Sequence, residues 1–122
     1  MVDNGRFQGQ EDFFGANKVN GNWIESGPIQ GVNTSGNEGA PSVRGDGRRL
    51  VFAACETLGN GYGLREGKGS CDLFEAEWSP ATQRYDQGQN LEILNTSFWE
   101  SQPCLSADGN QIYFVRAKRN QE

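Results

Sequence analysis

The chain repeats itself at a spacing of 62 residues. Asn33-Thr34-Ser35 returns as Asn95-Thr96-Ser97, Glu38 as Glu100 and Pro41 as Pro103. Asp46-Gly47 returns as Asp108-Gly109, Leu50 as Ile112 and Phe52 as Phe114, all without a gap. A repeat of this kind cannot bury its apolar face alone and must stack on its neighbours. The expected product is therefore an array of units whose shared surfaces make the core.

Composition sharpens that expectation. Of the 122 residues only 34% are hydrophobic and the mean hydropathy is −0.73, so each unit has a thin core. No apolar run approaches the length of a membrane-spanning helix, and no basic-then-apolar start reads as a secretory leader. The net charge of −5 argues against a nucleic-acid partner, which needs a concentrated cationic face. The small basic group Arg116, Lys118 and Arg119 reads as a solvated strand end. There is no histidine, which removes Ser-His-Asp and Cys-His catalysis and the usual zinc imidazole. No catalytic residue, cofactor or metal site is expected, and the chain reads as a non-enzyme.

Residues 37–98 read as one complete unit of four strands. Ala40 to Val43 is a short first strand, and Gly45-Asp46-Gly47 is a tight turn in which Asp and Gly tolerate positive φ. Leu50 to Ala54 is the second strand. A glycine-rich loop from Leu58 to Ser70 leads to a third, Asp72 to Trp78, and Leu91 to Leu94 makes a shorter fourth. Residues 1–36 read as the third and fourth strands of a preceding unit. Glu11 to Ala16 copies the third strand, Asn20-Gly21-Asn22-Trp23 makes a hairpin turn, and the fourth strand lies near Ser26 to Ile29. Residues 99–122 copy the first two strands, at Gln102 to Leu105 and Gln111 to Val115. No segment carries a helical period. Four hairpin-linked strands in about 60 residues are the size of one generous propeller blade.

Pro41 to Phe52 resembles the P-x-x-S-x-D-G-x-x-I-x-F signature of TolB-like, WD-repeat-like β-propellers. Pro103 to Phe114 fits it better, with Ser106, Asp108, Gly109, Ile112 and Phe114 all in place; in the first copy Arg44 stands where serine is expected. The longer pattern is Asn-Thr-Ser leading to Glu-x-x-Pro, an Ala-Cys strand and Gly-Ser-Cys-Asp-Leu. It is similar to propeller regions of Bacteroidota OmpA-family envelope proteins. The resemblance implies an all-β fold, about two antiparallel blades of a larger propeller of about six to eight. It implies a periplasmic scaffold associated with the outer membrane, often lipid-anchored, some members serving gliding or type IX secretion. Partners would be other envelope proteins or the rest of its own propeller. The chain is expected to be a piece of a longer propeller, with ring closure between several copies as the alternative. A companion peptidoglycan-binding domain is absent from these residues. Two other functions stay open: the propeller of a prolyl-oligopeptidase-type peptidase, for which no Gly-x-Ser-x-Gly elbow is present, and a carbohydrate-binding propeller.

In a propeller blade the second and third strands are antiparallel, which lets Cys55 and Cys71 face each other. An exported chain permits the bridge, and a cytosolic one would keep two reduced thiols. Cys104 aligns with Ser42 and is expected as a buried free thiol. Asp46, Gly47, Asp108 and Gly109 read as structural turn residues, not calcium ligands. Arg44-Gly45-Asp46 spells an adhesion tripeptide by chance, and the sequons at Asn33 and Asn95 follow from the repeat. Glu75 and Glu77 read as a solvated acidic face, not a glycosidase pair. Trp23 and Tyr85 occupy equivalent places and are expected to pack between blades. Trp99, which replaces Asn37, is the candidate exposed contact residue.

Overall fold

The computed structural model describes residues 12–33, 37–56 and 66–118. Glu11, most of the glycine-rich loop, Thr34-Ser35 and Arg119 lie outside the described residues, as do the outer ends of the flanking units. Nine strands and no helix occupy the described residues: β1 (Phe14–Val19), β2 (Asn22–Pro28), β3 (Asn37–Val43), β4 (Arg49–Cys55), β5 (Cys71–Ser79), β6 (Arg84–Tyr85), β7 (Gln89–Asn90), β8 (Trp99–Leu105) and β9 (Ile112–Ala117). β1 and β2 form a two-stranded antiparallel sheet. β3-β4-β5-β8-β9 form the path of a second sheet, with β6 and β7 also paired to β5. That sheet is mixed, because β5 meets β8 in parallel at Cys71 and Trp99. Neither sheet closes on itself among the described residues.

The Asn-Gly pair dictates the first hairpin. Asn20 and Gly21 both take positive φ, 51° and 82°, the requirement of a two-residue turn that matches strand twist. This carries β1 on to Val19, later than the third strand read from the sequence.

β4 is the centre of the molecule. Its run Leu50-Val51-Phe52-Ala53-Ala54 is apolar at every position because both of its faces are covered. Leu50, Phe52 and Ala54 turn to one face, where they meet Phe74 and Ala76 of β5 and Phe13 and Val32 of the preceding unit. Phe13 stands edge-on to Phe52 with ring centres 5.5 Å apart, and Phe74 stacks on Phe52 at 5.9 Å. The preceding unit thus supplies part of the middle unit's core. On the other side β8 packs against β3, β4 and β5.

The 62-residue period is copied into the backbone. β3 and β8 each carry a bulge, between Gly39 and Ser42 and between Ser101 and Cys104. Ala40 and Gln102, one period apart, both sit at φ 54° just before Pro41 and Pro103. A non-glycine residue in the left-handed region is uncommon, so its recurrence marks one local structure built twice.

The fourth strand differs from the sequence reading. Leu91 to Leu94 forms a turn, closed by Leu94 N–H and Asn95 N–H donating to the Leu91 carbonyl. Strand pairing to β5 falls instead on the two-residue β6 and β7. Ile93 points into solvent, 95% exposed, so the apolar letters of this segment do not report a buried strand.

Candidate functional site

Two side-chain amides hold the units together at equivalent places. The Leu73 N–H donates to Asn95 Oδ1 at 2.7 Å, and Asn95 Nδ2 donates to the Leu73 carbonyl at 2.8 Å. One period earlier the Phe13 N–H donates to Asn33 Oδ1 at 2.7 Å, and Asn33 Nδ2 donates to the Phe13 carbonyl at 2.9 Å. Each asparagine satisfies an edge residue's donor and acceptor in the manner of a strand partner. At Asn95 this explains the absent fourth strand at 91–94. Sequence reasoning noted both residues as members of the repeat and as recurring sequons, without a structural role.

Carboxylates gather beside the Asn95 clamp. Asp72 and Glu100 are fully buried. Asp72 accepts from the Lys68 N–H, from the Gly69 N–H at 3.2 Å and from Asn90 Nδ2 at 3.3 Å. Burial pushes the Asp72 carboxyl above its usual range, against the pull of these donors. Glu100 accepts from the Thr96 N–H, from the Thr96 hydroxyl and from Arg116 Nε at 2.9 Å. Asn95 Nδ2 also donates to Asn90 Oδ1 at 2.7 Å. This network fixes the connections flanking β5 and β8. Its carboxylates are engaged by amide and guanidinium donors, the pattern of structural anchors. Among the described residues no group of three or more His, Cys, Asp or Glu is placed to hold a metal ion. A shallow cleft of about 480 Å³ opens beside it, lined by Glu66, Lys68, Phe74, Gln89, Asn90 and Glu92.

The turn carboxylates form the second cluster. Asp46 Oδ1 accepts from the Arg48 N–H at 2.9 Å, and Asp108 Oδ1 accepts from the Asn110 N–H at 3.0 Å. Gly47 and Gly109 follow at φ 76° and 79°. The Ser106 hydroxyl donates to Asp108 at 2.7 Å. Arg44 takes the same role in the other copy, its Nε and Nη2 reaching the two Asp46 oxygens at 2.9 and 2.8 Å. The bond from Arg44, then that from the Arg48 amide, holds the Asp46 carboxyl down at about 2. The Asn110 amide, then Ser106, lowers Asp108. The adhesion-like tripeptide is thus internally paired, Arg44 to Asp46. The two turns touch, with the Gly45 N–H donating to the Ala107 carbonyl at 2.9 Å. One rim of the molecule therefore carries both.

Cys55 and Cys71 lie opposite each other in the β4–β5 register and form a disulfide. Cys104 is free but exposed, a correction to its expected burial. It aligns with Tyr113 of β9, itself 63% exposed, so the sheet face at this pair is open among the described residues. Trp99 is half-buried rather than exposed, held between the start of β5 and the end of β9. Trp23 and Tyr85 are not alike. Tyr85 packs on the core, stands edge-on to Trp78 and donates its hydroxyl to the Gly47 carbonyl at 2.7 Å. Trp23 is largely exposed, with the Lys18 ammonium 5.5 Å from its ring centre. Glu75 is partly buried and ion-paired to Arg49, and Glu77 lies 3.9 Å from the same guanidinium.

The chain matches no protein-family model, no curated protein and no solved structure.

Proposed function

We propose that this chain is a non-enzymatic β-propeller interaction module of a bacterial cell-envelope scaffold, of the TolB-like kind. It would contribute two blade-lengths to a larger propeller. The observation that carries this reading is the duplicated unit: strand pairs β3–β4 and β8–β9 share a register, a bulge and a turn at one period. The shared core of Phe13, Phe52 and Phe74 supports it, because neighbouring blades lean on one another in this way. The Cys55–Cys71 disulfide supports an exported chain. The rim formed by the two touching turns suits protein docking, since loops on a rigid scaffold carry recognition. The engagement of Asp72 and Glu100 by structural donors favours a binding role over acid–base catalysis.

Thiol labelling in intact source cells tests the reading. Before reduction one cysteine, Cys104, should react and the chain should fractionate with the envelope. Reaction of all three cysteines without reductant, with recovery in the cytosol, would sink it.

A further inference from the structure

Trp78 and Tyr85 are opposite each other in the β5–β6 register. Their rings stand at 72° with centres 5.2 Å apart, so they form two walls of a corner. The Tyr85 hydroxyl is tied to the Gly47 carbonyl at 2.7 Å, and the Trp78 backbone N–H donates to the Arg48 carbonyl at 2.9 Å. The corner is thus fixed in advance, which spares an occupant the cost of ordering it. The fold itself does not demand two rings here. In the preceding hairpin the corresponding cross-strand pair is Lys18 with Trp23.

A pocket of about 520 Å³ opens at this corner. That volume lies within the roughly 300–1,000 Å³ of small-molecule sites. Trp78, Tyr85 and Pro80 supply an apolar wall, and Asp46, Arg48 and Gln83 supply a polar one. Asp46 is neutralised by Arg44, whose Nη2 lies 2.8 Å from its carboxylate. The Arg48 side chain is exposed and makes no ion pair among the described residues, so it sets the local charge. Gln83 Nε2 donates to the Pro80 carbonyl at 2.9 Å, which leaves Oε1 to accept from a ligand hydroxyl. A second cleft that shares Tyr85 carries Arg84, a further exposed cation.

We propose that this pocket binds a pyranose that carries an acidic group, a carboxylate or a phosphate. Three features of such a ligand match three features of the pocket. The aromatic faces are negative and attract the polarised C–H face of the sugar ring. Its hydroxyls meet the free oxygen of Gln83. Its anion meets the Arg48 guanidinium, whose planar fork suits both carboxylate and phosphate. A proline-rich peptide is the other common occupant of an aromatic groove. Its apolar face would desolvate Arg48 and Gln83 without giving them partners, which is costly. The chemistry of the polar wall therefore favours the acidic sugar.

Titration with methyl glucuronide tests the site, followed through the indole N–H resonances of the tryptophans. The Trp78 resonance should move and saturate while those of Trp23 and Trp99 stay in place. Methyl glucoside, which lacks the carboxylate, should bind about tenfold more weakly for want of the charge-assisted pair. Methyl glucoside phosphorylated on its primary hydroxyl tells the two anions apart, and an advantage of either one over the plain glucoside supports the proposal. Arg48→Gln should weaken the glucuronide to the level of the glucoside and leave the glucoside itself unchanged, a pattern that misfolding does not give. Arg48→Lys should restore part of the difference. The proposal is overturned if glucuronide up to about 50 mM leaves the Trp78 resonance unmoved. It is overturned equally if both acidic sugars bind no better than the glucoside, or if a proline-rich peptide moves that resonance at lower concentration than any of the sugars. None of these results touches the thiol labelling in cells, so the two readings fail separately.

Discussion

Replacing Asn95 with alanine isolates the clamp that stands in for a strand. Asn95 is buried, and its amide makes three bonds: it accepts from the Leu73 N–H, and it donates to the Leu73 carbonyl and to Asn90 Oδ1. The Leu73 carbonyl keeps a second donor, the Leu91 N–H at 3.0 Å, so its loss is partial. The Leu73 N–H keeps none that is shown, and Leu73 itself is fully buried. An orphaned buried donor costs about 1–3 kcal/mol, and the broken bond to Asn90 adds about 0.5–1.5. The expected loss for Asn95→Ala is therefore about 2–4 kcal/mol, read from urea unfolding followed by tryptophan fluorescence with an unchanged slope. The matching change, Asn33→Ala, acts at a half-buried site that water can reach, and should cost about 1 kcal/mol. A loss below about 0.5 kcal/mol at Asn95 would refute the view that the side chain substitutes for strand pairing.

Further outcomes follow from other contacts. Cys55→Ser with Cys71→Ser should lower stability by about 3 kcal/mol on the loop-entropy account, measured by denaturant unfolding, while the intact chain titrates a single thiol, Cys104. Arg44→Ala should return the Asp46 carboxyl from about 2 toward its ordinary 3.8, followed by NMR titration. Because that carboxyl is depressed in the folded state, its contribution is present above 3.8 and is lost as pH falls toward about 2. Gly31 has φ 103°, and a Cβ there would overlap the Tyr85 carbonyl, so Gly31→Ala should cost about 3 kcal/mol or more. At Gly21, φ 82° with open space around it, the same change should cost only about 1 kcal/mol.

Much of the strand order was legible because its signals are local. The Asn20-Gly21 turn and the unbroken apolar run at β4 each carry their own conformational requirement. The Cys55–Cys71 bridge was reachable through strand pairing, since it needs only an antiparallel second and third strand. What stayed hidden depends on lateral neighbours. Cys104 aligns with Ser42, but alignment along the chain does not say whether a strand covers the adjacent face. Leu91 to Leu94 carries strand-like apolar residues, yet Asn95 takes the Leu73 bonds that a longer strand would need. Glu38 and Glu100 recur at one period and are both buried, although a glutamate by itself reads as surface. The repeat singled them out; only the three-dimensional packing shows that Glu100 anchors the segment ahead of β8.

β5 touches more strands than any other described element, pairing with β4, β6, β7 and β8 and tethered at its first residue by the disulfide. Fluctuations that open the sheet must therefore begin elsewhere. β9, which pairs only with β8 among the described residues, can lift away while β5 stays seated, and amide hydrogens should exchange in that order. The slowest-exchanging amides should be those shared by β4 and β5, so the last structure to melt is one antiparallel pair at the middle of the sequence, with both flanks opening around it.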